Sequence, residues 1–101
     1  YYNDTFCEAM KQNHILINTS RGAVANTESI IKGLEMGKIS GACLDVLEEE
    51  KNIEKVLNKS NNIVQQFYKH QVILTPHIAG YSMNAIEKMS LELLDQLKNI
   101  L

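Results

Sequence analysis

Tryptophan is absent, proline occurs once, at Pro76, and cysteine twice, at Cys7 and Cys43. Two distant cysteines, neither in a Cys-x-x-Cys pair, exclude a disulfide scaffold and read as reduced thiols of a cytoplasmic protein. His14, His70 and His77 show no i,i+4 pairing, so no metal site is expected. Neither sign of charge dominates: 10 Lys and Arg stand against 12 Asp and Glu, a net charge of −2. That balance gives no electrostatic reason to expect nucleic acid or an anionic membrane as partner. No apolar run approaches the roughly 18 residues of a membrane span. Tyr1-Tyr2-Asn3-Asp4 carries no basic region or apolar signal core. What remains is one domain's worth of chain, 101 residues, 45% hydrophobic and 22% charged. That composition can bury a core and excludes disorder and low complexity.

Asp4 to Lys11 reads as the tail of a helix, with Phe6, Cys7 and Met10 on one face. His14-Ile15-Leu16-Ile17-Asn18-Thr19 is a short β-branched run that predicts a central parallel strand, buried on both faces. Ser20-Arg21-Gly22 leaves it sharply. Asn26 or Thr27 caps the next helix, Ile30, Ile31 and Leu34 form its apolar face, and Gly37 ends it in a left-handed conformation. Ile39 to Val46 is the second strand, where Ser40, Gly41 and Ala42 allow a helix to pack closely. Residues 47–70 are polar, with short helices expected around Ile53 to Leu57 and Ile63 to Tyr68. Gln71 to Thr75 is the third strand, ended by Pro76. Asn84-Ala85-Ile86-Glu87 resembles a capping box. Ile86, Met89, Leu93, Leu97 and Ile100 then mark an amphipathic helix. Strands alternating with helices imply an α/β fold with a parallel sheet, and three strands suggest part of a larger domain.

In parallel α/β sheets, ligands bind outside the carboxyl ends of the strands. Here the first strand ends in Asn18-Thr19-Ser20-Arg21-Gly22. The second ends in Asp45, with Glu50 five residues later, and the third in Thr75-Pro76-His77. Taken singly, Arg21 reads as a surface charge, Glu48-Glu49-Glu50 as a solvated face and Asp45 as a turn residue. Their joint placement at three successive strand ends carries the argument. Arginine grips a carboxylate with two parallel hydrogen bonds, and histidine moves a proton near neutral pH. A substrate with a carboxylate beside a C–OH or C=O fits this set, with hydride transfer to a bound cofactor as the natural chemistry.

At these residues the sequence resembles the D-isomer-specific 2-hydroxyacid dehydrogenases. The resemblance lies in Ile15-Leu16-Ile17-Asn18-Thr19-Ser20-Arg21-Gly22-Ala23-Val24, in Gly41-Ala42-Cys43-Leu44-Asp45-Val46 through Glu50, and in Leu74-Thr75-Pro76-His77-Ile78-Ala79-Gly80. It implies the second half of a Rossmann-like, parallel-sheet dinucleotide-binding domain over residues 1–81, three parallel strands with flanking helices. Residues 82–101 would be a crossover helix leading back to a substrate domain. It implies that Arg21 binds the substrate carboxylate and carbonyl, that His77 is the general acid/base and that Glu50 pairs with it. Asp45 would hold the nicotinamide carboxamide, Thr19 and Ser20 would line the cofactor, and Ala79-Gly80 would approach it by backbone. The cofactor would be NAD, with NADP left open, and the partner a small 2-hydroxyacid or 2-ketoacid, 3-phosphoglycerate among them, handled by a homodimer. Asn26-Thr27 after the Arg21 motif and Tyr81 after Ala79-Gly80 resemble the family's erythronate-4-phosphate branch, and generic members share these features.

The sequence departs from the family's pattern in two ways. Lys51 follows Glu50 where the family has proline, and residues 51–70 match poorly. The glycines, at 22, 33, 37, 41 and 80, build no Gly-x-Gly-x-x-Gly, the motif that cradles a pyrophosphate. The chain therefore reads as a fragment of an oxidoreductase, inactive alone. The alternatives are a dinucleotide-sensing corepressor relative and a stand-alone interaction module.

Overall fold

The computed structural model describes residues 1–48, 63 and 65–100. Asn3, in extended backbone, accepts a hydrogen bond from the Phe6 N–H and starts helix α1, Asp4–Ala9. The segment expected to be a helix tail is thus a helix with its own N-cap. Strand β1, His14–Asn18, follows, and a single 3-10 turn, Gly22–Val24, leads out of the Arg21 segment. Asn26 caps α2, Thr27–Glu35, by accepting from the Ser29 N–H at 2.9 Å, as its residue type and place predict. Gly37 closes α2 with φ +70°, a conformation that costs glycine little. Then come β2, Ile39–Leu44; helical residues 65–68; β3, Val72–Leu74; and the long helix α3, Met83–Ile100. The helix expected around Ile53 to Leu57 lies outside the described residues.

The three strands form one parallel sheet in the order β1-β2-β3. Residues paired in a parallel register share a face. Leu16, Ala42 and Val72 form one such row and Asn18, Leu44 and Leu74 another. The core lies on this face, where Leu16, Ala42, Leu44 and Val72 meet Cys7 of α1, Ile30, Ile31 and Leu34 of α2, and Phe67. The alternate row, Ile17, Cys43 and Ile73, points the other way. Among the described residues, β1 is an edge strand with one open face, not the expected central strand buried on both faces. β2 is the middle strand, and Ile15 and Ile17 are 66% and 67% exposed. A strand is buried on both faces only when a layer covers each, and the described helices cover one. The apolar stripe of α3 is real, but none of its residues is buried among the described residues. Ser82 caps it, its Oγ accepting from the Ala85 N–H at 3.1 Å. The cap expected at Asn84 is corrected accordingly.

Two close approaches set the packing. A methyl on Gly33 would stand 2.8 Å from the Ile39 side chain and 3.0 Å from Cys7 Sγ. The tight helix–sheet contact therefore sits on α2, whereas Gly41 of β2 faces the Gln71 carbonyl. A methyl on Gly22 would overlap the Leu47 carbonyl. The Arg21 segment thus lies directly against the chain leaving β2. Tyr2 fixes its far end: its N–H donates to Val24 O and its carbonyl accepts from Asn26 N, both at 2.9 Å. Replacing Gly22 by Ala forces one backbone away from the other. We expect a loss of about 3 kcal/mol, the upper end of the range for overpacking, in urea unfolding of the variant against the parent.

Candidate active site

Backbone hydrogen bonds tie the three strand ends together. Asp45 N donates to Asn18 O at 2.9 Å, Thr75 N to Leu44 O at 3.0 Å and His77 N to Asp45 O at 2.9 Å. The convergence expected from a parallel sheet is therefore realised for the Arg21 segment, Asp45 and His77. Glu50, the predicted partner of His77, lies outside the described residues.

The β1 exit is shaped by Asn18, buried at the last position of the strand. Its Oδ1 accepts from Ser20 N at 3.1 Å and from Ser20 Oγ at 2.9 Å, and its Nδ2 donates to Arg21 O at 3.1 Å. Thr19, Ser20 and Arg21 are exposed at this turn. Arg21 Nη1 donates to Ser20 O at 2.8 Å, and among the described residues the guanidinium makes no ion pair. Most of its five donors thus remain available for a carboxylate.

Glu48 is a residue that sequence reasoning set aside as part of a solvated run. Its carboxylate accepts from the Thr27 N–H at the first turn of α2, at 2.5 Å. A negative charge is favoured there by the helix dipole and the unpaired N–H groups. The contact ties the exit of β2 to α2, two residues before Glu50. An acidic residue that far from a helix start in sequence gives no local signal of such a role.

Asp45 is the most enclosed of the predicted site residues that the structure describes, 4% exposed. Its Oδ1 accepts from Thr75 Oγ1 at 2.5 Å and from Ile78 N at 2.9 Å, and its Oδ2 from Ala79 N at 2.9 Å. The Thr75 hydroxyl, the two backbone N–H groups and the charge of His77 hold its carboxyl below the ordinary carboxylate range, against the opposing effect of burial. These bonds form the turn that carries His77, whose φ is +57°. Histidine is one of the few residue types enriched in this left-handed region. His77, Ala79 and Gly80 are exposed. Among the described residues, no atom beyond its two chain neighbours stands within 4 Å of where a Cβ on Gly80 would lie, so the backbone is open on that side.

Exposed hydroxyls at Thr19 and Ser20, an open backbone at Ala79-Gly80 and one spare acceptor position on Asp45 Oδ2 fit the nicotinamide end of a dinucleotide. No glycine-rich loop for its pyrophosphate is present in this sequence. The described residues include no group of three or more His, Cys, Asp or Glu that could hold a metal ion. No helix among them is long and apolar enough to cross a membrane.

A parallel sheet with Arg, Asp and His gathered at the carboxyl ends of its strands defines a ligand site of the dinucleotide-binding α/β class. Residues 1–79 match the family described as D-isomer specific 2-hydroxyacid dehydrogenase, NAD binding domain, and the chain belongs to it. A glyoxylate reductase of Thermococcus litoralis is 47% identical over 81 residues, which are 80% of this chain and 22% of that protein. A D-lactate dehydrogenase of Treponema pallidum is 38% identical over 97 residues, 91% of this chain and 29% of the relative. The crystal structure of D-lactate dehydrogenase from Aquifex aeolicus, complexed with NAD and lactic acid, superposes with a TM-score of 0.66 at 32% identity. It covers 97% of this chain, which spans 32% of it. The chain thus spans less than a third of the length of each of these relatives.

Because folding depresses the Asp45 pKa, its carboxylate stabilises the fold above the ordinary carboxylate range. That contribution is lost as pH falls through and below the range. The stability gap between the parent and Asp45→Asn should therefore be widest near pH 7 and shrink below about pH 4. Urea unfolding at a series of pH values measures it, and a gap that grows on acidification contradicts the assignment.

Proposed function

We propose that the protein to which this chain belongs is an NAD-dependent D-2-hydroxyacid dehydrogenase, which interconverts a 2-hydroxyacid and the corresponding 2-ketoacid. The observation that carries the reading is the hydrogen-bonded convergence of the Arg21 segment, Asp45 and His77 at one sheet edge, inside a stretch that matches the family. NAD, when bound, takes up or gives back the hydride at C2. Arg21 binds the substrate carboxylate through its open fork and polarises the neighbouring carbonyl. His77 takes the hydroxyl proton during oxidation and returns it to the carbonyl oxygen during reduction. By the family resemblance, Glu50 would be the carboxylate that pairs with His77. Thr19, Ser20 and the Ala79-Gly80 backbone line the nicotinamide end.

The relatives named above are a glyoxylate reductase and D-lactate dehydrogenases. Their names favour a short 2-ketoacid over 3-phosphoglycerate as the substrate, and they do not favour the corepressor alternative. The reading extends to a cytoplasmic location, in keeping with the free cysteines Cys7 and Cys43, and, from the family resemblance, to a homodimer. Sedimentation of the natural protein tests the dimer. The 101-residue chain by itself, without a pyrophosphate loop, is expected to show no turnover of NADH with glyoxylate.

Replacing His77 by Asn removes the imidazole while keeping a residue that tolerates φ > 0. In the natural protein this should lower kcat by about 10²–10⁴-fold, as for loss of a general acid/base. Arg21→Ala should raise KM for the ketoacid and lower kcat together. Steady-state oxidation of NADH with glyoxylate and with pyruvate reads both effects, and unchanged kinetics in either variant would refute the role given to that residue.

A further inference from the structure

We infer that Asp45 is a positioning residue whose carboxylate holds the Thr75–Ala79 turn in the one conformation that presents His77 to the substrate. The inference rests on the acid/base role of His77 and goes beyond the carboxamide contact that the family resemblance suggests for Asp45.

Three donors from the same turn converge on this one side chain. Thr75 Oγ1 and Ile78 N donate to Oδ1, and Ala79 N donates to Oδ2. They flank His77 on both sides in the chain. The carbonyl of Asp45 accepts a fourth bond, from His77 N itself. Both lone pairs of Oδ1 and one of Oδ2 are therefore engaged within the protein, and one acceptor position remains. At the centre of this arrangement His77 has φ +57°, which a chain without these bonds would leave for the commoner negative-φ regions. Asp45 is buried at the exit of the middle strand, and β1 holds its N–H in turn through Asn18 O. The peg is thus fixed to the sheet, and the turn hangs from the peg.

Charge is part of the fit. Four lone-pair positions on an ionised carboxylate accept N–H and O–H donors without rearrangement, whereas an Asn amide offers one oxygen and presents N–H groups to the rest. In Asp45→Asn, at least one of the Ile78 and Ala79 N–H groups loses its acceptor. The turn should then relax and His77 should move off its line to the substrate. A displacement of about 1 Å at a reacting group can lower a rate about 10²-fold.

The test uses the natural full-length protein and four variants: Asp45→Asn, Thr75→Val, Thr75→Ser and His77→Asn. Asp45→Asn should lower kcat, measured at saturating NADH, about 10²-fold, with KM for glyoxylate changed by less than about threefold, the signature of a contact that matters only in the transition state. Thr75→Val should lower kcat as well, and Thr75→Ser, which keeps the hydroxyl, should restore it. Should Asp45→Asn fail to fold, the Thr75 pair carries the same comparison. Adding Asp45→Asn to His77→Asn should cost nothing further, because a residue acting through His77 has nothing left to position. Amide hydrogen exchange at Ile78 and Ala79 should accelerate in Asp45→Asn. A further fall in kcat at saturating NADH on the His77→Asn background, or unchanged exchange at Ile78 and Ala79, overturns the inference. Full activity of His77→Asn overturns the acid/base reading instead, and the exchange rates still decide whether Asp45 holds the turn.

Discussion

β2 has a hydrogen-bonded neighbour along each of its edges, and the geometry of the site follows from that. Its parallel register with β1 sets Asn18 beside Leu44, and its register with β3 sets Leu74 on the other side of Leu44. All three chains therefore leave the sheet at the same level. One residue past β2, Asp45 makes its N–H bond toward β1 and its carbonyl and carboxylate bonds toward the segment after β3. A shift of either neighbour by one residue would turn its side chains to the opposite face. The core row of Leu16, Ala42 and Val72 and the placing of the site are therefore a single constraint. Burial of Ile30, Ile31, Leu34 and Phe67 against that row holds the register, and the register delivers the residues at the strand ends.

Local chemistry made much of this readable in the sequence. Asn26 at a helix start and Gly37 at a helix end have side-chain or backbone properties that only a few positions use, and the structure employs both as expected. The strand ends were legible because Asn18 to Gly22, Asp45 and Thr75 to His77 each break an apolar run with polar residues. The status of β1 was not legible. Its Ile15 and Ile17 record a capacity to be buried, and whether a layer covers them depends on what lies across the sheet. The start of α3 was misplaced by two residues because Ser82 and Asn84 are both capable caps, and only the path of the chain selects between them.

The site was legible as a set of residue types and less so as a set of supports. Asn18, Glu48 and Thr75 act through backbone or side-chain partners that are distant in sequence or hidden within a turn. No periodicity or spacing marks such contacts. Asp45 was singled out for a ligand, yet most of its hydrogen-bonding capacity is directed inward. A carboxylate at a strand end looks the same in sequence whether it faces solvent, a cofactor or its own chain. The difference lies in the N–H groups that the following turn aims at it.

The left-handed backbone at His77 restricts which residues could ever replace it. A β-branched or bulky side chain at φ +57° would be a steric outlier, while Gly, Asn and Asp fit with little strain. Descendants of this sequence that abandoned proton transfer would therefore pass through a narrow gate. Their histidine would be exchanged for Gly, Asn or Asp if the turn persisted, and for Val, Ile or Leu only where Asp45 or Thr75 had changed as well. Loss of the chemistry and loss of the turn would leave different marks at position 77.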